Sequence, residues 1–262
     1  MMNIAHRGGA ALWPENTLAA FADAIACGYD GAELDVQLSR DGAVVVHHDF
    51  RLKPGLARKQ GVWLSPPGPR IKNLSLAELR QFDVGHPEPG GDYARKHPLL
   101  QVVENAAVPT LEEVIHLAQD APRPFTLFVE LKCDAGDDSA DPLALADAAY
   151  DVVAGADFLG DVIFVGFDWR ALARIRQRSG YCWYTTDRLG NDPRPVIDAI
   201  ASAGGQGWFP NFPDATPDAT AYARSRGLKI GAWTVNSLAD MERLAGLDAI
   251  CTDRPDLLGS MI

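Results

Sequence analysis

The sequence of 262 residues has few cysteines and no long apolar run. Cys27, Cys133, Cys182 and Cys251 lie far apart without a C-x-x-C motif, so neither a structural zinc site nor a disulfide framework is indicated. No segment approaches the roughly 20 apolar residues that a membrane-spanning helix needs. The first predicted strand begins at Asn3 or Ile4, which leaves no room for a signal peptide. We therefore expect free thiols, no membrane span and a cytoplasmic location.

Positive charge is also in short supply. Lysine and arginine number 24 against 35 aspartates and glutamates, so the net charge is −11. Proteins that bind nucleic acids or anionic membrane surfaces present basic faces, and neither kind of partner is expected here. No P-loop, dinucleotide-binding or nucleophile-elbow motif follows a predicted strand. The expected partner is a small molecule, and an anionic one would have to be attracted by local positive charge. The sequence leaves the oligomeric state open.

Short strand patterns alternate with helical patterns along the chain, which is typical of parallel strands joined by crossover helices. The length suits one large α/β barrel or two ordinary domains. Nine strand-like segments are present, one more than an eight-stranded barrel needs.

One connection is too short for a crossover. Only five residues separate AELDVQ (32–37) from AVVVHH (43–48), whereas a parallel crossover takes roughly a dozen or more. We predict a hairpin that turns at Arg40-Asp41-Gly42, because Asp-Gly is a strong turn signal. This pairing would place His48 opposite Glu33.

Periodicity fades between residues 50 and 108, where proline and glycine cluster. One helix is predicted there, at 75–82. A long stretch with so little regular structure inside a compact barrel is usually functional, as a lid or specificity element. We expect residues 1–262 to form a single barrel domain, with 50–108 as an insertion within it.

Charged residues interrupt two strands that are otherwise apolar on both faces. Glu33 and Asp35 are two residues apart, as are Glu130 and Lys132, so each pair points to one side of its strand. Buried carboxylates need a charged partner or a metal. A salt-bridge network with Arg7 and Lys132 would leave a negative remainder, because it sets two cations against three acids. A cation site is favoured, and carboxylate oxygens suit Mg²⁺, Ca²⁺ or Mn²⁺.

Histidines end two of the predicted strands. His6 and Arg7 precede a Gly-Gly turn, at the strand end where barrel enzymes place their active sites. His47 and His48 are adjacent, so only one of them can face the interior, and the alternation of the strand does not choose between them. Trp233 is expected either to line the pocket mouth or to fill the barrel.

Together these residues resemble the glycerophosphodiester phosphodiesterase family. The resemblance runs in order over nearly the whole length and is carried by His6-Arg7-Gly8, Pro14-Glu15-Asn16-Thr17, Glu33-x-Asp35, Asp41-Gly42, His48-Asp49, Pro109-Thr110-Leu111, Glu130-x-Lys132, Trp233-Thr234-x-Asn236 and Thr252-Asp253. It implies a (β/α)8 TIM barrel with a small insertion after the third strand.

The resemblance also implies roles for individual residues. Glu33, Asp35 and Glu130 would hold one divalent cation, Mg²⁺ or Ca²⁺, with Mn²⁺ also suitable. His6 and His48 would form the acid–base pair, which selects His48 over His47, and Arg7 and Lys132 would bind the substrate phosphate. Glu15 and Asn16 match the family's loop beside the metal.

The reaction implied is hydrolysis of a glycerophosphodiester to glycerol 3-phosphate and an alcohol, with either water or a neighbouring substrate hydroxyl as the nucleophile. An alternative is a lysophospholipase D type of reaction on lysophospholipids, with Trp63, Trp208 and Phe209 forming an acyl-chain groove. The segment Arg51-Leu52-Lys53-Pro54-Gly55 departs from the Arg-Thr-Thr type of sequence that many relatives carry after His-Asp, so the head-group preference stays open.

Overall fold

A computed structural model of the chain, which describes residues 1–133 and 139–261, contains a closed barrel of eight parallel strands. Every barrel strand pairs in parallel with both neighbours. In order around the barrel these strands are β1 (Met2–His6), β2 (Gly31–Leu38), β6 (Thr126–Leu131), β7 (Val162–Gly166), β8 (Cys182–Thr186), β9 (Gly207–Pro210), β10 (Lys229–Ala232) and β11 (Ala249–Thr252). The predicted TIM barrel is confirmed.

Helices follow the barrel strands and cover them on the outside. Several of them begin at a residue whose side chain caps the helix: Thr17, Thr110 and Asp168 each accept a hydrogen bond from a backbone N–H of the first turn, which satisfies a donor that the helix leaves unpaired. The helices are α1 (Leu18–Ala26), α4 (Leu111–Gln119), α5 (Pro142–Gly155), α6 (Trp169–Gln177), α7 (Arg194–Ser202), α8 (Pro217–Ser225), α9 (Leu238–Arg243) and α10 (Pro255–Gly259). Among the helices described here, none has the length and apolar character to cross a membrane.

The extra strand-like segment is β3 (Val44–Val46), which pairs antiparallel with β2 outside the ring. The hairpin is confirmed, but its predicted register is wrong by one residue. Val36 pairs with Val46, and the His47 N–H donates to the Asp35 carbonyl over 2.9 Å, so His48 does not lie opposite Glu33. The turn itself is the predicted Arg40-Asp41-Gly42, and Gly42 has φ 82°. The Ser39 N–H donates to the Ala43 carbonyl over 3.0 Å, so this three-residue turn fixes a pairing that puts His47 opposite Asp35.

Residues 50–108 leave the barrel directly after this hairpin. They include a two-stranded ribbon, β4 (Arg58–Lys59) and β5 (Val62–Trp63), and the short helices α2 (Leu76–Leu79) and α3 (Asp92–Lys96). The predicted helix at 75–82 is therefore shorter than expected, and α3 and the ribbon were not predicted. A small apolar cluster with members such as Leu52, Ile71 and Leu79 packs under this segment. The division into one barrel domain with an insertion at 50–108 stays a prediction.

The barrel interior changes character along its length. Ile4, Phe128, Ile163, Val165, Trp183, Phe209, Ala249 and Cys251 form one buried apolar cluster. His6 follows Ile4 by two residues, and Glu130 follows Phe128 by two, so each faces the same side of its strand as the apolar residue before it. The interior is thus apolar until the last residues of the strands and charged beyond.

Candidate active site

Strand register brings the predicted site residues together at the carboxyl ends of the barrel strands. His6 lies beside Glu33 in the β1–β2 ladder. Asp35 lies beside Glu130 in the β2–β6 ladder, and Lys132 comes directly after β6. Active sites of this fold lie at this end of the barrel.

The three acids form one compact group. Carboxylate oxygens of Glu33, Asp35 and Glu130 all lie within 4.8 Å of one another. Glu33 is 2% exposed and Asp35 is 1% exposed. Like charges held this close inside a protein repel by several kcal/mol, so the group requires positive charge nearby.

Arg7 supplies part of that charge. Its Nε lies 3.3 Å from Asp35 Oδ2, its Nη1 donates to Glu15 Oε1 over 3.2 Å, and its backbone N–H donates to Glu33 Oε2 over 3.2 Å. The φ of Arg7 is 52°, and Gly8 follows it closely packed on Ala20. This tight turn aims both the backbone and the side chain of Arg7 at the acids.

Lys132 supplies further positive charge beside the acids. Its Nζ donates to Glu130 Oε1 over 2.8 Å and lies 3.6 Å from Asp35 Oδ1. Burial opposes the charge on Asp35, but Arg7, His48 and Lys132 outweigh it and hold the pKa of Asp35 well below its usual range.

Glu33 is left without equivalent compensation. Its Oε1 is buried and makes no hydrogen bond to any described residue. Burial, with added repulsion from Asp35 and Glu130, raises the pKa of Glu33 well above its usual range. A salt-bridge network therefore satisfies Asp35 and Glu130 but not Glu33, and the unsatisfied oxygen points to a ligand that the protein's own cations do not replace.

Both predicted catalytic histidines have a carboxylate on Nδ1. His6 Nδ1 donates to Asp253 Oδ1 over 2.6 Å, and His48 Nδ1 donates to Asp49 Oδ1 over 2.6 Å. His6 Nε2 lies 3.8 Å from Glu33 Oε2. Because a carboxylate accepts at Nδ1, the neutral imidazole carries its proton there and presents a basic Nε2.

The two histidines that directly follow β3 have different surroundings. His47 is 5% exposed, and burial lowers its pKa. His48 lines a cavity of about 660 Å³ together with Lys132. His48 is therefore the one of the two that shares a cavity with Lys132, and its catalytic role stays a prediction.

Two cavities adjoin the charged end of the barrel. The larger cavity, of about 660 Å³, is lined by His48, Asp49, Phe50, Arg51, Leu52, Lys53, Pro54, Pro66, Pro67, Gly68 and Lys132. The smaller cavity, of about 430 Å³, is lined by His6, Arg7, Ala10, Glu15, Lys53, Pro54, Asp92, Tyr93, Lys96, His97 and Asp253. Both volumes suit small-molecule ligands.

The aromatic residues are distributed differently from the prediction. Trp208 is 0% exposed and Phe209 is 2% exposed, so the predicted acyl-chain groove of Trp63, Trp208 and Phe209 is wrong. Strand β9 is buried on both faces, and its aromatic side chains fill the core. Trp233 is half-buried after β10, packs edge-on against the exposed Phe167 at 5.4 Å, and donates from Nε1 to the Phe209 carbonyl over 3.0 Å.

Sequence reasoning missed the support behind His6. Asn236 donates from Nδ2 to Asp253 Oδ2 over 2.7 Å, and its own Oδ1 accepts from Thr252 Oγ1 and from the Asp253 N–H. No local pattern marks Asp253 as a partner of His6, because the two residues lie 247 positions apart in the sequence. The only available signal was the family's Trp-Thr-x-Asn and Thr-Asp segments.

Comparison with known proteins shows which family this chain resembles over nearly its whole length. Residues 6–257 match the model of the glycerophosphoryl diester phosphodiesterase family. The glycerophosphodiester phosphodiesterase of Caldanaerobacter subterraneus is 28% identical over 263 residues, which cover 99% of this chain and 96% of that protein. A Silicibacter pomeroyi crystal structure named after the same family is 34% identical, with a TM-score of 0.88 over 98% of this chain and 92% of that one. An Oleispira antarctica phosphodiesterase, solved with the product sn-glycerol-3-phosphate, shares the fold with a TM-score of 0.78 at 24% identity over 98% of this chain and 94% of that one.

Proposed function

The chain belongs to the glycerophosphoryl diester phosphodiesterase family of phosphoric diester hydrolases, and we propose that it hydrolyses glycerophosphodiesters to glycerol 3-phosphate and an alcohol, using one divalent cation and two histidines. The observation that carries the proposal is the convergence of Glu33, Asp35 and Glu130 in a site that also contains His6 and His48. A cytoplasmic location stays a prediction.

The acids fit a divalent cation. Three carboxylates within 4.8 Å offer only oxygen atoms, which hard cations such as Mg²⁺, Ca²⁺ and Mn²⁺ prefer. Glu33 Oε1, which has no hydrogen-bond partner among the described residues, is the ligand atom that most needs such a cation. When bound by Glu33, Asp35 and Glu130, the ion would polarise a phosphate oxygen and stabilise charge that develops at phosphorus.

Arg7 and Lys132 are the proposed phosphate-binding residues. Both stand at the edge of the acidic group, and each lines one of the two cavities. The guanidinium can bind two phosphate oxygens at once, while the ammonium acts as a point charge. They would provide locally the attraction that the overall charge of −11 does not.

His6 and His48 are the proposed acid–base pair. Each has its Nδ1 occupied by a carboxylate, so each can accept or donate a proton at Nε2. One imidazole would remove the proton from the attacking hydroxyl or water, and the other would protonate the departing alkoxide. Asp253 and Asp49 would stabilise whichever ring becomes cationic.

The substrate is proposed to span the two cavities. The smaller cavity adjoins His6 and Arg7, and the larger adjoins His48 and Lys132. The two ester arms of a phosphodiester could then extend to either side of the acidic group, and Trp233 would border the mouth.

Lysophospholipids are the second candidate substrate class. Phe50, Pro54, Pro66 and Pro67 give the larger cavity an apolar part, which would accept part of an acyl chain in place of the groove predicted from the sequence. Comparing turnover of a lysophospholipid with that of its deacylated form separates the two substrate classes.

The test is a panel of glycerophosphodiesters assayed with and without divalent cations, beside His6→Ala and Glu33→Ala. We expect a strong chelator to abolish hydrolysis, excess Mg²⁺ or Ca²⁺ to restore it, and both variants to fold but lose turnover. Full activity in chelator, or a wild-type rate in either variant, would refute the proposal.

A further inference from the structure

The segment directly after His48 forms a wall shared by the two cavities. Lys53 and Pro54 line both of them. On one side of the wall lies the cavity with His48, and on the other lies the cavity with His6 and Arg7. A residue of this wall can therefore contact residues of both cavities, and so affect the groups that bind either side of a phosphodiester.

Lys53 makes such contacts. Its Nζ donates to Glu15 Oε1 over 3.2 Å and lies 3.4 Å from Asp49 Oδ2. Glu15 Oε1 is the same atom that accepts from Arg7 Nη1, and Asp49 is the carboxylate that accepts from His48. The Lys53 ammonium group thus contacts both Glu15, which accepts from Arg7, and Asp49, which accepts from His48.

Tyr93 supports one arm of this connection. Its hydroxyl donates to Glu15 Oε2 over 2.8 Å, and its ring lies under Lys53 Nζ at 5.4 Å. The contact of an ammonium with an aromatic face adds attraction and restricts where the ammonium can lie. Lys53 and Tyr93 both belong to residues 50–108, so this segment reaches the barrel at Glu15.

Glu15 is a firm anchor for these contacts. Its side chain is 6% exposed. Burial opposes its charge, but Arg7 and Lys53 outweigh burial and lower the pKa of Glu15 to about 2. A buried carboxylate that stays ionised and accepts from three residues fixes the positions of its donors relative to one another.

We propose that Lys53 is a positioning residue that holds His48 and Arg7 in a fixed relation through Asp49 and Glu15, and that Tyr93 supports the Glu15 arm alone. The inference rests on the proposed function, because it assigns a task to the residues around that site. It gives residues 50–108 a role in alignment, since a shift of about 1 Å in a reacting group can slow a reaction on the order of a hundredfold.

The test compares four variants of the full chain saturated with a divalent cation. Lys53→Met removes the charge and keeps the length, and we expect kcat to fall about tenfold or more and KM to rise. Lys53→Arg keeps a cation and should recover most of the loss. Tyr93→Phe removes only the Glu15 contact, so KM should rise while kcat stays within about twofold. Lys59→Met is the matched control, because Lys59 is exposed and lies over the Phe82 ring at 5.3 Å, away from both cavities.

Calorimetric titration with inorganic phosphate gives a readout that does not need turnover. We expect weaker phosphate binding in Lys53→Met and Tyr93→Phe, and unchanged binding in Lys59→Met.

The inference is overturned if Lys53→Met keeps kcat, KM and phosphate affinity within about twofold of wild type, or if Lys53→Arg is no better than Lys53→Met. Should Lys53→Met fail to fold, Lys53→Arg and Tyr93→Phe decide by the same parameters. Failure of the wild type to hydrolyse any diester would refute the proposed function instead, and the phosphate titration would still judge Lys53.

Discussion

The two ends of the barrel interior use the same strands for opposite purposes. At the amino end, Ile4 and Phe128 pack with Trp183 in a buried apolar cluster. Two residues further along the same strand faces stand His6 and Glu130. The apolar end is held together by packing, whereas the charged end depends on ion pairs and leaves Glu33 Oε1 without a hydrogen-bond partner among the described residues. The comparison teaches that the charged residues are confined to the carboxyl end of the barrel, where their mutual repulsion does not disrupt the apolar core.

The largest expected effect is on the rate, at the charged end. In Asp253→Asn, the Asn236 amide that now donates to Asp253 Oδ2 would favour the new carbonyl oxygen there and turn the new NH₂ toward His6. The proton of His6 would then move to Nε2, the wrong nitrogen for a base. We expect kcat/KM to fall on the order of 10²–10⁴-fold, measured by steady-state kinetics, with the unfolding midpoint nearly unchanged. A fall below fivefold would contradict this role for Asp253.

The largest effect on stability is expected at the apolar end. Trp183 is 2% exposed and packs against Phe128 at 5.3 Å. Trp183→Ala should lower the free energy of unfolding by about 3–5 kcal/mol, measured by denaturant titration, while the KM of the folded fraction stays the same. If KM changed as much as stability did, the two ends would not be independent.

The stability that the charged end contributes should depend on pH, and Glu15 allows this to be measured. The pKa of Glu15 is lowered from 4.5 to about 2, so the folded state binds fewer protons than the unfolded chain between these values. The resulting stabilisation is fully present above about pH 4.5 and is lost as the pH falls through about 2. Glu15→Gln should therefore cost roughly 3 kcal/mol at pH 7 and little at pH 2. If the free energies of unfolding of the wild type and of Glu15→Gln changed in parallel with pH, Glu15 would not be the source of the pH-dependent stabilisation.

The smallest expected effect is a gain. Because the pKa of Glu33 is raised by burial and by its acidic neighbours, its ionisation destabilises the metal-free fold above the usual glutamate pKa. Glu33→Gln should stabilise the metal-free protein by about 1–2 kcal/mol at pH 7, and the gain should vanish below about pH 4. Thermal unfolding in chelator at several pH values measures it, and lower stability of Glu33→Gln at pH 7 would contradict the account.

The fold was predictable because its signals are local. Alternating patterns indicated parallel strands joined by crossover helices, and the short link between β2 and β3 identified the hairpin, while the family resemblance supplied the eight-stranded barrel. The two-residue spacing of Glu33 and Asp35 placed both on one face. The Asp-Gly signal located the turn correctly, but the pairing of His48 with Glu33 was wrong, because a turn of Arg40, Asp41 and Gly42 aligns Ser39 with Ala43 and therefore His47 with Asp35.

The supporting contacts of the site were not predictable from local pattern. Asp253 meets His6 across 247 residues, and Tyr93 meets Glu15 across 78, and no spacing rule connects such positions. The apolar sequence around Trp208 and Phe209 was equally ambiguous, because a buried strand and an exposed groove both favour aromatic side chains.

The central claim is that Glu33, Asp35 and Glu130 together bind one divalent cation. The most direct measurement is a crystal structure grown with Mn²⁺ and recorded at the manganese absorption edge, for the wild type and for Glu33→Gln. We expect one anomalous peak in contact with all three carboxylates, weakened or lost in the variant. An empty acidic group in the wild type, or an ion bound elsewhere, would contradict the claim.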